Sequence, residues 1–155
     1  MLNSRLFRFA VLVSFVLNGT ASLGARLESG EVRVWQMQEV TFEAAREYAN
    51  PYVDVELWID LEGPDFKRRV YGFWDGGRTF KVRFVATKPG DWSWRSASNR
   101  SDDPGLNGGR GTFRAVAWDD AQLLENPNRR GFIRASENGH ALRYADGMPF
   151  FLVGD

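Results

Sequence analysis

Residues 71–94, YGFWDGGRTFKVRFVATKPGDWSW, limit the possible folds more than any other stretch, because they alternate with a period of two and carry two turns of definable chemistry. Between Thr79 and Thr87, Phe80, Val82, Phe84 and Ala86 fall on one face and Lys81, Arg83 and Val85 on the other, the signature of a half-buried strand. Asp75-Gly76-Gly77 supplies residues that accept positive φ, as a tight hairpin requires. Lys88-Pro89-Gly90-Asp91 sets Pro and Gly at the second and third positions of a type II turn. The stretch therefore reads as a three-stranded antiparallel meander. A meander with one apolar face needs a second sheet to cover it.

The flanks supply that material. Glu31 to Ala45 alternates with a break at Gln36 and Gln38, and a bulge between Trp35 and Gln38 would restore the register. Tyr52 to Asp60 reads as one strand, with Val53, Val55, Leu57 and Ile59 on one face and Tyr52, Asp54, Glu56, Trp58 and Asp60 on the other. A turn at Glu62-Gly63-Pro64-Asp65 leads into Lys67 to Trp74. The Gly/Asn/Asp-rich run SNRSDDPGLNGGRG is long for a connection in a compact domain, which predicts a mobile or functional loop. Gly111 to Trp118 alternates again; Asp119 to Glu125 fits a helical turn or a strand edge equally well. Short strands and a hairpin are expected over Gly131–Ser136, Leu142–Tyr144 and Pro149–Val153. Many short strands with turn signals at intervals near ten residues predict an all-β fold, an immunoglobulin-like antiparallel β-sandwich ahead of a jelly roll.

The N-terminus is a separate matter. Arg5 and Arg8, the apolar run Phe9 to Leu17, and the small residues from Gly19 to Ala25 have the order of a secretory signal peptide, and the apolar run is too short to span a bilayer. Residues 1–25 are thus expected to be removed, leaving a secreted or periplasmic domain with no stable membrane insertion. Loss of two arginines from a chain with 20 basic and 20 acidic residues leaves about −2, which gives no reason to expect a nucleic-acid partner. The chain has no Cys, so an exported domain of this length must rely on its core instead of disulfide staples.

Chemistry-bearing residues are sparse. On one strand face Asp54 and Glu56 would make a conceivable carboxylate pair, but alternating carboxylates opposite Lys81 and Arg83 fit a solvated, ion-paired face better. His140 is the single histidine, so neither a zinc site nor a Cys/His pair is expected. Asp102, Asp103 and Asn107 lack the regular spacing of a calcium loop, and Asn99-Arg100-Ser101 is a formal glycosylation sequon. No catalytic residue, metal or cofactor is expected. Aromatic residues are the better clue: the chain has six Trp, and a flat ring is the surface on which the apolar face of a sugar stacks. Trp92 and Trp94 share a face and default to the core. Trp58 lies on the polar side of its strand with Tyr52, so a neighbouring domain, a sugar or the 98–110 loop must cover it.

In order along the chain, VWQMQEVTFEA, ANPYVDVELWIDLEGP, YGFWDGGRTFKVRFVATKPGDWSWRSAS, GGRGTF and LRYADGMPFFLVGD resemble the DUF5060 β-sandwich domain that precedes the catalytic barrel in apiosidase-like (DUF4038) glycoside hydrolases. The resemblance covers nearly all of the chain after residue 25. It implies an accessory domain over residues 26–136. It also implies a hairpin and the first strand of a (β/α)8 barrel over residues 137–155, with Asp155 at the barrel mouth and the catalytic carboxylates further on. The expected role is a non-catalytic β-sandwich that packs against that barrel, with polysaccharide as a further partner. Candidate interface or carbohydrate-contacting residues are Trp58, Tyr52, Trp74 and Asp155. Rival readings are a free-standing carbohydrate-binding module using Trp58, Tyr52 and Trp74, and an immunoglobulin-type structural or adhesion domain.

Overall fold

The computed structural model describes residues 31–153; the expected signal peptide over residues 1–25 and Asp155 lie outside them. Eight strands build a sandwich: β1 (Val32–Arg33), β2 (Met37–Glu43), β3 (Leu57–Gly63), β4 (Phe66–Tyr71), β5 (Phe73–Gly76), β6 (Thr79–Val85), β7 (Gly90–Ser98) and β8 (Arg110–Val116). One sheet has the order β1-β8-β7-β3-β4 and the other β2-β6-β5. That is the strand order of an immunoglobulin-type sandwich, in which a G-F-C-C′ sheet faces a B-E-D sheet. Every pairing in the sandwich is antiparallel except β1 with β8, so the larger sheet is mixed.

The expected alternation in β6 holds: Phe80, Val82 and Phe84 are buried, as is Ala86 just beyond. Opposite them on the larger sheet stand Leu57, Ile59 and Leu61 of β3 and Trp92 and Trp94 of β7, and Val40 and Phe42 of β2 complete the core. Each such side chain contributes roughly 1.5–3 kcal/mol on burial. Asp75 to Arg78 turns the β5–β6 hairpin, with Gly76 and Gly77 both at positive φ (109° and 53°).

The meander does not survive intact. β5 and β6 pair, but β7 crosses to the other sheet and pairs with β3 and β8, so Lys88 and Pro89 carry the chain across the sandwich instead of turning a hairpin. The inward faces of β6 and β7 meet through the core, an arrangement that gives the same alternation as side-by-side pairing. The break at Gln36 has a similar cause. Trp35, at φ 63°, turns the chain from β1 in one sheet to β2 in the other, so a sheet switch replaces the expected bulge.

A second correction concerns Tyr52 to Asp60. The strand begins only at Leu57, and Pro51–Asp54 forms a single helical turn, α1, with Pro at its first position. Proline presets φ for a helix start, and the Asp54 carboxylate accepts the Asn50 N–H at 2.9 Å. Asp54 and Glu56 therefore do not share a strand face.

The long 98–110 connection is built, not loose. Asp103 is buried within it, and its carboxylate accepts the Ala45 N–H at 3.0 Å, the Gly105 N–H at 2.9 Å and the Tyr48 hydroxyl at 2.8 Å. Asn107 accepts the Ser98 N–H and donates to the Arg100 and Asp103 carbonyls. Leu106 plugs the core, fully buried. Gly105 lies so close to β2 that a Cβ there would meet the Glu43 carbonyl oxygen at 1.9 Å, a contact no side chain tolerates.

Beyond Trp118 the character changes. Asp119 caps α2 (Asp120–Glu125) in a reciprocal capping box with Gln122, which settles the helix-or-strand ambiguity in favour of a helix. A 3₁₀ turn over Pro127–Arg130 follows, and then a small antiparallel sheet in the order β11 (Pro149–Phe150), β10 (Leu142–Arg143), β9 (Arg134–Ala135). Strands β9 and β10 pair antiparallel, with Leu142 opposite Ala135 and Arg143 opposite Arg134.

Candidate functional site

Of the sequence-derived candidates, Trp58 lies on the outer face of the larger sheet, since it alternates with the buried Leu57 and Ile59. Its ring is covered from within the domain. The Arg69 guanidinium sits 4.4 Å from the ring centroid and Tyr71, its cross-strand partner, stands edge-on at 6.4 Å. Arg69 is in turn held over the ring by Asp60, whose carboxylate accepts from Nε at 3.0 Å. The Trp58 indole N–H is buried without an acceptor among the described residues, so the ring is held by its cation–π and edge contacts.

Tyr52 and Trp74 come together elsewhere. Trp74 pairs with Phe80 on β6 and packs against the core with its indole N–H donated to the Gly77 carbonyl at 2.9 Å, and Tyr52 meets it edge-on at 5.2 Å from α1. Tyr52 is 76% exposed. The structure thus joins two of the named aromatics and sets the third on a different surface. Trp92 and Trp94 are both core residues.

The titratable groups form ladders. On the outer face of the smaller sheet, Glu39 receives Arg83 at 2.7 Å and Lys81 at 3.2 Å, while Lys81 also reaches Asp75 at 2.7 Å. The bonds from Arg83 and then Lys81 hold the Glu39 carboxyl below its usual range, and Asp75 followed by Glu39 raises the Lys81 ammonium above its own. A carboxylate pinned in its charged form by two cations is a poor proton donor. Asp54 is turned toward Arg100, at 3.6 Å, and the Glu56 N–H is bound by the Asn99 side chain. His140 sits exposed in the turn between β9 and β10. Among the described residues no three His, Asp or Glu side chains gather to hold a metal ion.

The feature that sequence reading missed is a groove of about 630 Å³ along the open side of the sandwich. Strand β4, at the edge of the larger sheet, forms one wall and the Arg83–Val85 end of β6 the other; Phe132 and Arg134, from the segment after the 3₁₀ turn, close it. Its lining carries five cationic side chains, Arg68, Arg69, Arg83, Lys88 and Arg134, against the single carboxylate of Asp65. Finding it required knowing that β4 and β6 lie in different sheets and that residues 132–134 fold back against them.

Residues 31–99 match the model of DUF5060, a domain of unknown function. In fold, the chain is similar to a protein of Bacteroides vulgatus ATCC 8482 whose crystal structure describes it as a candidate glycoside hydrolase. The two are 25% identical with a TM-score of 0.63 over 78% of this chain and 21% of that one, so this chain spans about a fifth of that protein's length. No curated protein matches it. The matched DUF5060 region runs from β1 to the end of β7 and contains Tyr52, Trp58 and Trp74.

Proposed function

We propose that this chain is the non-catalytic DUF5060 β-sandwich of a secreted glycoside hydrolase of apiosidase-like type, and that it packs against a catalytic barrel through residues 119–153. The observation that carries the reading is an imbalance in burial. All buried residues of the described chain lie between Val32 and Ala115, whereas from Val116 to Val153 none is buried and, outside the β4–β6 groove, Leu124, Met148, Phe151, Leu152 and Val153 are exposed. Exposed apolar residues concentrated in one segment are what a docking partner would cover, which supports the reading. The likeness to a much longer candidate glycoside hydrolase, of which the match covers 21%, supports a barrel as the covering partner.

A free-standing carbohydrate-binding module has less support. The Trp58 ring is taken by Arg69 and Trp74 is engaged with the core, which leaves Tyr52 as the one well-exposed member of that aromatic set.

The proposal is tested with an apolar dye such as ANS on the folded chain after removal of residues 1–25. Strong dye fluorescence that falls in a Phe151→Ser/Leu152→Ser variant of unchanged stability is expected. Dye silence in the parent chain would show that the apolar surface is covered without a partner and would remove the reading. The coding sequence beyond codon 155 provides the second check: an in-frame run of alternating strand and helix patterns supports the barrel, and an immediate stop overturns it.

A further inference from the structure

We propose that the groove between β4 and β6 binds a carboxylate-bearing oligosaccharide alongside the face that meets the catalytic domain. The choice of a saccharide rests on the glycoside hydrolase reading; the cationic character of the groove does not.

Charge decides the class of ligand. Three of the five groove cations are already matched: Arg69 by Asp60, Arg83 by Glu39 and Lys88 by Asp65. Arg68 and Arg134 are exposed and have no carboxylate partner among the described residues. Two guanidinium forks on one groove match planar carboxylates, which they bind with paired N–H donors. The groove lining also includes Tyr71, 56% exposed, and Phe132, 59% exposed, flat apolar surfaces of the kind on which sugar rings stack. Phe132 is held in place edge-on against Trp35 at 5.2 Å.

Geometry disfavours the obvious competitor, a peptide strand added to a sheet edge. β4 is an edge strand and β6 has no neighbour on its β5 side beyond Lys81, so two edges face the groove. However, the β4 edge carries Lys67, Arg68 and Arg69 in succession, the charge pattern by which natural edges resist strand addition. The six residues of β4 give the groove a wall about 20 Å long, enough for several sugar units. Since Phe132 and Arg134 belong to the segment that leads into the exposed apolar region, a bound chain would lie next to the docked barrel.

The test is calorimetry of the 155-residue chain with oligogalacturonate and with the same oligomer methyl-esterified, which removes the charge and keeps the backbone. Binding to the acid form, weakening with added salt and absent for the ester, is expected. An Arg68→Ala/Arg134→Ala variant, both substitutions being at exposed positions, is expected to bind about tenfold more weakly while keeping its near-ultraviolet circular dichroism. Equal affinity for acid and ester, unchanged affinity in the variant, or tighter capture on phosphatidylglycerol vesicles than on the oligomer would each overturn the proposal. The dye experiment reads the apolar face independently, so a groove that binds no glycan on a chain with a dye-binding apolar face sinks this inference and leaves the domain reading standing.

Discussion

The 98–110 connection and the longer 119–153 segment make opposite use of their side chains. The loop is polar in composition yet sends Leu106 into the core and satisfies its turns through Asp103 and Asn107. The segment is richer in apolar residues yet buries none of them, and is held by short pairings, a capping box and surface ion pairs such as Arg130–Asp146 at 2.6 Å. Polar composition thus does not predict looseness when the polar groups face inward on backbone donors, and apolar composition does not predict a core when nothing stands opposite. The first region is finished by its own domain; the second leaves its apolar side chains exposed.

The contrast is broken most severely from the core side. Trp92→Ala removes a fully buried ring against which Phe66 and Phe113 pack at 5.2 and 6.1 Å, and a loss of about 3–5 kcal/mol is expected in denaturant unfolding. A loss under 1 kcal/mol would mean that the two sheets are not the cooperative unit.

Within the loop, Asp103→Ala strands two backbone N–H groups and the Tyr48 hydroxyl at once. The expected cost is about 3 kcal/mol, accompanied by faster amide exchange at Ala45 and Gly105. Asp103→Asn, which keeps one acceptor oxygen, should cost less. If the two variants are equally mild, the loop is held by Leu106 alone.

The pH limits of stability sharpen the same comparison. Burial, with the bond to Asp103 second, raises the Tyr48 phenol above its usual range, so the folded state favours the protonated form. The stability it contributes is present below the ordinary phenol pKa and is lost as pH climbs through the raised one. Glu39 works in the other direction: its lowered pKa contributes stability above the ordinary glutamate range, lost as pH falls through the depressed value. Tyr48→Phe should therefore flatten the alkaline limb of a stability profile and Glu39→Gln the acid limb. Both limbs unchanged would remove these two groups from the account.

How far the sequence carried depends on whether the information was local. The period-two run Phe80–Val82–Phe84 and the Asp75-Gly76-Gly77 turn were legible because each residue's role is set by neighbours a few positions away. The sandwich class followed from many such runs. Assignment of strands to sheets was not legible, because Lys88-Pro89-Gly90-Asp91 offers the same turn chemistry whether β7 lies beside β6 or across the core from it. Val53 and Val55 extended the alternation of β3 backwards, and only the Asn50-Pro51 helix start cut it off. Trp58 was correctly placed on the polar side of its strand, but its cover, Arg69, comes from the next strand and depends on register. The groove was invisible for the same reason: its residues come from three places in the chain, two of them in different sheets and the third in a segment that belongs to neither.

Trp58 itself offers a small effect. Its removal takes away the Arg69 cation–π contact and the Tyr71 edge contact from a half-exposed face, together with an unpaired buried N–H whose loss is favourable. Trp58→Ala is expected to cost about 1 kcal/mol and to free Arg69 for solvent.

The smallest effect on stability carries the most information about function. Phe151 and Leu152 are 85% and 79% exposed and follow β11, so their replacement by serine should leave the unfolding free energy within about 0.5 kcal/mol of the parent. In an ordinary surface position that neutrality would end the matter. Here the pair is continuous with Val153 in a run of exposed apolar residues, and an apolar surface left uncovered lowers solubility instead of raising stability. The Phe151→Ser/Leu152→Ser variant is therefore expected to be more soluble than the parent chain at equal stability. Should it instead unfold more easily, residues 151–152 already have a partner within the chain, and the difference between a finished sandwich and an unfinished segment disappears.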